Sequence, residues 1–282
     1  MIDVVALTLK ELMRRRFFAG AAIATAVLVG LTGWGFFYLS RMHTARGAPV
    51  THLEVLTISA VLLILIAYLF SFLLAMAAVF ISAPSLANDI ESGVLLPVVA
   101  RPITRETIIG GKAIALTIVI AVYAVLTGAC EFFVVHGATG YAPPNPAGTL
   151  LYLAISGIVM VALALALGTR MPAMSASIVA IVAFIIARLG GIAQSLGAFY
   201  DNDTVRHAGT LTQLLLPSDA MWLAALYRME PATMIAGLSA AHEWTGPFFV
   251  AAPPPLAMVA WTIAWIAAVF AIAMRSFALR DL

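Results

Sequence analysis

The chain has 282 residues, of which 63% are hydrophobic and 10% charged, against about 25% charge in a soluble domain. So few charges cannot cover a water-facing surface of this size, which excludes a soluble one- or two-domain protein. The net charge of +2 is too small to point to nucleic acid, and the single cysteine, Cys130, excludes a disulfide framework and a cysteine-cluster metal site.

From Ile2 to Phe18 the apolar Val4, Val5, Leu7, Leu9, Leu12, Met13 and Phe17 alternate imperfectly with Asp3, Thr8, Lys10, Glu11 and three arginines. That pattern fits a helix lying in a headgroup layer with its arginines near anionic lipid. It fits equally a simple positive anchor for the span that follows. A helix rising 1.5 Å per residue needs about 20 apolar residues to cross a hydrocarbon core. Six stretches qualify: 17–39, 55–81, 113–136 with Glu131 inside it, 149–168, 172–200 with Arg188 inside it, and 256–274. The first is too long for the core of a signal peptide, although Arg14, Arg15 and Arg16 precede it. Thr51 and Glu54 form a capping box at the start of the second. The segment 201–255 before the last span carries the apolar runs Ala220–Tyr227 and Thr233–Ala241. These are too short to cross, and are expected to lie in the interface or dip partway in.

Six crossings place both ends of the chain on one side. With the amino terminus in the cytoplasm, the cytoplasmic segments hold Lys10, Arg14, Arg15, Arg16, Arg101, Arg105, Lys112, Arg170, Arg275 and Arg280. The outer segments hold only Arg41, Arg46, Arg206 and Arg228. Ten against four sets both termini inside. The expected fold is an all-α integral membrane protein: one transmembrane domain over 1–282, with six transmembrane helices, an amino-terminal interfacial helix and a helical cytoplasmic segment at 82–112.

A phosphate-wrapping loop needs Gly, four residues, then Gly-Lys and Ser or Thr. The one Gly-Lys pair, Gly111-Lys112, is followed by Ala113 and has Glu106 where the first glycine belongs. The five histidines, His43, His52, His136, His207 and His242, fall at outer span ends or in outer segments, without a His-x-x-x-His pair. No metal site and no catalytic residue are assigned.

The cytoplasmic connector Ser82–Lys112 is more informative. A short acidic helix (Asn88, Asp89, Glu91) is expected to end at Gly93, followed by the apolar run Val94–Ala100, broken by Pro97, and then Arg101-Pro102. Thr104 is placed to cap a helix that runs into the third span, with Glu106 in its first turn. An apolar segment framed by charge suits a groove on a partner protein or a bed of lipid headgroups. The pattern Glu91-x-Gly93, apolar run, Arg101-Pro102-Ile103-x-Arg105, then Gly111-Lys112 resembles the permeases of ABC type-2 exporters. It is most similar to the six-span subgroup that includes the permease of the nitrous oxide reductase maturation system. Lys10-Glu11-Leu12-x-Arg14-Arg15-Arg16-Phe17, Pro217–Trp222 and Arg280-Asp281-Leu282 resemble what members carry in those places.

The resemblance implies a non-catalytic permease subunit in the bacterial inner membrane. Two permease copies, or one copy and a relative, form a pathway, and each docks a separate ATPase that binds the ATP and Mg. The segment Ser85–Thr104 would be the coupling helix, with Asp89, Glu91, Gly93, Leu95, Leu96, Arg101 and Arg105 as docking residues. Two other functions fit the composition: a membrane-embedded enzyme acting on lipid-linked substrates, and a structural or sensory subunit that binds an external partner through 201–255.

Intramembrane charges are functional candidates by default. Glu131 lies roughly 28 Å beyond Lys112 along a helix, and Arg188 roughly 27 Å beyond Arg170, which puts both near the outer edge of the hydrocarbon core. They pair or share a polar cavity in the pathway, or each snorkels separately to the outer headgroups.

Overall fold

The computed structural model describes residues 2–14, 16–39, 41, 51–91, 104–232, 248–250 and 252–279. Among these the regular structure is helical: α1 (Ile2–Arg14), α2 (Arg16–Leu39), α3 (His52–Glu91), α4 (Arg105–Thr139), α5 (Pro146–Gly168), α6 (Ala173–Phe199), α7 (Asp203–Leu215), α8 (Ser218–Met229) and α9 (Leu256–Ala278). Six of them, α2 to α6 and α9, are long and apolar enough to cross a membrane. The six spans expected from the sequence are therefore present.

Each end has a local cause. Thr51 accepts from the Glu54 backbone (3.4 Å) while the Glu54 carboxylate accepts from the Thr51 N–H (2.8 Å), closing the capping box. Thr104 caps α4 by accepting from the Thr107 N–H (3.3 Å). At the far end of α4, Gly140 takes the left-handed conformation (φ 75°) and returns its N–H to the His136 carbonyl.

The bundle is built around α5, which packs against α3, α4, α8 and α9. Its Ser156, Val159, Met160, Val161, Ala162, Ala164 and Leu165 are buried. The amino-terminal α1 lays Thr8 and Leu12, one turn apart, on α4 and leaves Ile2 and Leu7 exposed. That is the two-faced helix the amino-terminal pattern predicted. At the rim, α2 and α9 bury little of their surface in this chain.

Two features depart from the sequence reading. The second span does not stop at Ile81 to be followed by a separate acidic helix. It continues as one helix through Pro84 to Glu91, ten residues further, or roughly 15 Å. An internal proline costs a helix one hydrogen bond, and packing holds this one together. Leu86 and Ala87 are buried just beyond the proline, and Gly168 brings α5 onto the α3 backbone, where a Cβ would sit 2.8 Å from the Ala83 carbonyl oxygen.

The second departure lies in the segment between the last two spans. After the turn at Asp201 (φ 52°), α7 folds back along α6, and α8 returns outward beside α5. The tip between them, Leu216-Pro217, is buried, as are Ser218 to Trp222. Irregular backbone at such depth is tolerated only where protein covers it. The run Ala220–Tyr227 thus dips in, whereas Thr233–Ala241 lies outside the described residues. The α6–α7 seam depends on Gly209, where a Cβ would meet the Gln194 backbone nitrogen at 2.6 Å and overlap the Gly190 carbonyl. Gly209→Ala is expected to lower the detergent-solubilised melting temperature, at a cost of about 1–3 kcal/mol from overpacking.

Candidate functional site

Three polar stations interrupt the apolar bundle. The first gathers the ends of α3, α4, α5 and α9. Lys112, nearly buried on α4, donates to the Ser85 carbonyl and ion-pairs with Asp89 (2.5 Å). Both acceptors lie on the tail of α3. Arg105 Nη1 reaches the Ala278 carbonyl at the end of α9 (3.4 Å). Arg170 donates to Ser276 Oγ (2.5 Å), which also contacts the Thr169 hydroxyl (3.0 Å). The two stems of the connector are thereby locked to each other and to the last helix. All these residues sit at the end of the bundle that the charge count assigned to the cytoplasm.

The second station is buried where α3, α6 and α8 meet. Arg188 donates to Asp219 Oδ1 (3.1 Å) and to Ser71 Oγ (2.6 Å), and Gln213 donates to Asp219 Oδ2 (3.2 Å). Four rings surround the guanidinium: Trp222 at 4.9 Å, Tyr68 and Phe184 at 5.3 Å, and Phe72 at 5.5 Å. Helical spacing explains the cage, with Tyr68 and Phe72 one turn apart on α3, Phe184 and Arg188 on α6, and Asp219 and Trp222 on α8. A desolvated guanidinium gains from both the carboxylate and the ring faces.

The third is Glu131 on α4. It is buried, and neither carboxylate oxygen has a hydrogen-bond partner among the described residues. The Thr32 hydroxyl of α2 lies beside it, but that proton goes to the Leu28 carbonyl (2.9 Å).

Residues 3–282 of this six-span bundle match the family model described as ABC-2 family transporter protein. The chain belongs to the ABC-2 transporter family. The match covers nearly the whole chain and reaches the family, not the nitrous oxide reductase maturation subgroup. No characterised protein matches the sequence.

The expected docking residues of this ABC-2 chain divide into two groups. Asp89 and Arg105 are each held by their own chain, Asp89 by Lys112 and Arg105 at the Ala278 carbonyl. Gly93, Leu95, Leu96 and Arg101 lie outside the described residues, as does the side chain of Glu91, whose backbone ends α3. Of the expected alternatives for Glu131 and Arg188, direct pairing and separate snorkelling are both corrected for Arg188, which is buried and ion-paired with Asp219, while Glu131 lies beside Thr32 of α2. Equal depth fixes a level in the bundle and not a direction around the helix. Sequence reasoning missed Asp219 and Lys112 as partners, although Pro217–Trp222 was singled out as a motif. An acid at the first turn of a short, mostly apolar helix was the available signal. The external segment also offers less docking surface than its length suggested, since 216–222 is inside the bundle.

At the outer end, the loop after α4 grips the end of α8. Tyr141 donates its hydroxyl to the Met229 carbonyl (2.8 Å), and the Asn145 N–H donates to Arg228 (3.2 Å). Glu230 accepts from the Val250 N–H (2.9 Å) through Oε1, and its buried Oε2 has no partner among the described residues. Burial pushes the Glu230 carboxyl up to about 8. Burial and the neighbouring Glu230 charge push the Tyr141 phenol up to about 12. A carboxyl whose folded-state pKa is raised favours folding while protonated. Its contribution is complete below about 4.5 and is lost as pH climbs toward about 8. The melting temperature of the wild type should therefore fall between pH 5 and 8, and Glu230→Gln should flatten that slope in a thermal-shift series.

Proposed function

We propose that this chain is the permease subunit of an ATP-driven ABC type-2 exporter in the bacterial inner membrane, with both termini cytoplasmic. A separate ATPase, which carries the ATP and Mg, docks on 82–112, and a second permease copy or a relative completes the pathway. The observation that carries this reading is the clamped stem of the connector. Lys112 holds Asp89 and the Ser85 carbonyl, so a push on the segment between α3 and α4 is delivered to two spans together instead of being absorbed by a slack loop. Contact with the ATPase is assigned to Glu91, Gly93, Leu95, Leu96 and Arg101. Asp89 and Arg105 hold the segment at its correct angle. No covalent chemistry is assigned to this chain.

Reversing one interfacial charge costs up to several kcal/mol when it meets a complementary surface. Glu91→Arg should therefore cut the amount of co-purifying ATPase by about tenfold or more while membrane insertion stays intact. Full recovery of an ATPase with the variant would remove Glu91 from the interface. Absence of any ATPase from the wild-type preparation would remove the exporter reading.

A further inference from the structure

The α2–α4 seam holds more polar groups than a lipid-facing helix pair needs. Tyr123, Thr127 and Glu131 recur every four residues on one face of α4, and Thr25 and Thr32 lie two turns apart on α2. Thr25 donates to the Tyr123 hydroxyl (3.2 Å), and Thr32, Thr127 and Glu131 are each 4% exposed or less. The hydroxyls have partners in Tyr123 and the Leu28 carbonyl, whereas both Glu131 oxygens have none among the described residues. Two carboxylate oxygens in a dry setting call for a proton or a counter-charge, because an isolated ionised carboxylate there costs several kcal/mol. The other wall of the seam is α2, which buries little else of itself and exposes Ile23, Val27, Leu31 and Trp34. Its packing within this chain is mainly against α4, with smaller contacts to α3 and α1. Arg188 and Lys112, the buried cations among the described residues, are already committed to Asp219 and Asp89.

We propose that this seam is a binding site for an organic cation carrying an apolar tail. Glu131 is the counter-charge for its ammonium or guanidinium group, and the Thr25–Tyr123 hydroxyls form a polar approach one level further in. That the cation is cargo rests on the exporter reading, whereas its binding does not, so a test without the ATPase separates the two.

The probe is dansylcadaverine, a primary ammonium on an apolar chain, with its neutral N-acetyl form as control. Both are titrated against the full chain in nanodiscs by dansyl fluorescence. Wild type should bind the ammonium probe in preference to the acetylated one. Glu131→Gln, which keeps the shape and removes the charge, should weaken the ammonium probe by about tenfold or more and leave the acetylated probe unchanged. Glu131→Asp, with the charge retained on a shorter arm, should fall between them. All variants should elute as the same monodisperse species, which excludes misfolding as the cause. Equal affinity of wild type and Glu131→Gln for the ammonium probe, or no preference of the wild type for it, overturns the proposal and leaves the exporter reading standing.

Discussion

Asp219→Asn is expected to destabilise the protein by about 3–5 kcal/mol, the cost of leaving one partner of a buried ion pair uncompensated. The stranded charge would be that of Arg188, 4% exposed, left with neutral acceptors only, the Ser71 hydroxyl and the introduced amide oxygen. The rings of Trp222, Tyr68, Phe184 and Phe72 soften that loss without cancelling it, since a desolvated cation–π contact is worth about 2 kcal/mol. The loss should be local at first. Asp219 starts α8, so the tip at Leu216-Pro217 should lose its anchor and the hairpin α7–α8 should become susceptible to protease from outside. The double variant Arg188→Met, Asp219→Leu should recover most of the melting temperature, because apolar replacement of a buried pair is often neutral. Thermal-shift measurements on the two variants check both halves. An unaffected melting temperature in Asp219→Asn would mean that the pair does not hold the hairpin.

Lys112→Met should have its largest effect on coupling instead of folding. The thioether chain fills similar space but releases the Ser85 carbonyl and Asp89 together, and a charge-assisted hydrogen bond contributes about 1.5–3 kcal/mol. With the stems of α3 and α4 free to splay, ATPase stimulation by the reconstituted permease is expected to drop by about tenfold, at 1.4 kcal/mol per decade. Lys112→Arg, which keeps the charge, should retain part of it. Turnover of the complex per bound ATPase is the quantity to follow. Unchanged turnover in Lys112→Met would detach the clamp from the transmission.

What could be read in advance follows from what each feature depends on. The spans depend on length and apolarity, which are properties of contiguous residues, and their bounds shifted by four positions or fewer, except that α3 runs ten residues past Ile81 and α4 starts eight before Ala113. The capping box at Thr51 and Glu54 and the Thr104 cap are equally local, involving groups three residues apart. The second span outruns Ile81 because tertiary packing of Leu86, Ala87 and the Gly168 contact carries the helix through Pro84. The α7 helix was missed because it is short and low in mean apolarity, and its place is set by a close backbone seam with α6 at Gly209. Arg188 was identified as an unusual residue, but its partner is 31 residues away in sequence. Counting along a helix gives depth, whereas the direction in which Glu131 and Arg188 face depends on how α4 and α6 pack.

On the proposed function, the segment between α3 and α4 grips a nucleotide-hydrolysing partner on the cytoplasmic side. A photo-crosslinking amino acid placed at Leu95, with another at Leu211 on the exposed face of α7 as control, tests it in membranes containing the intact complex. The account predicts an adduct between Leu95 and an ATP-binding chain, and none from Leu211. A Leu95 position that yields no such adduct and is modified by a membrane-impermeant reagent from outside the cell would contradict it.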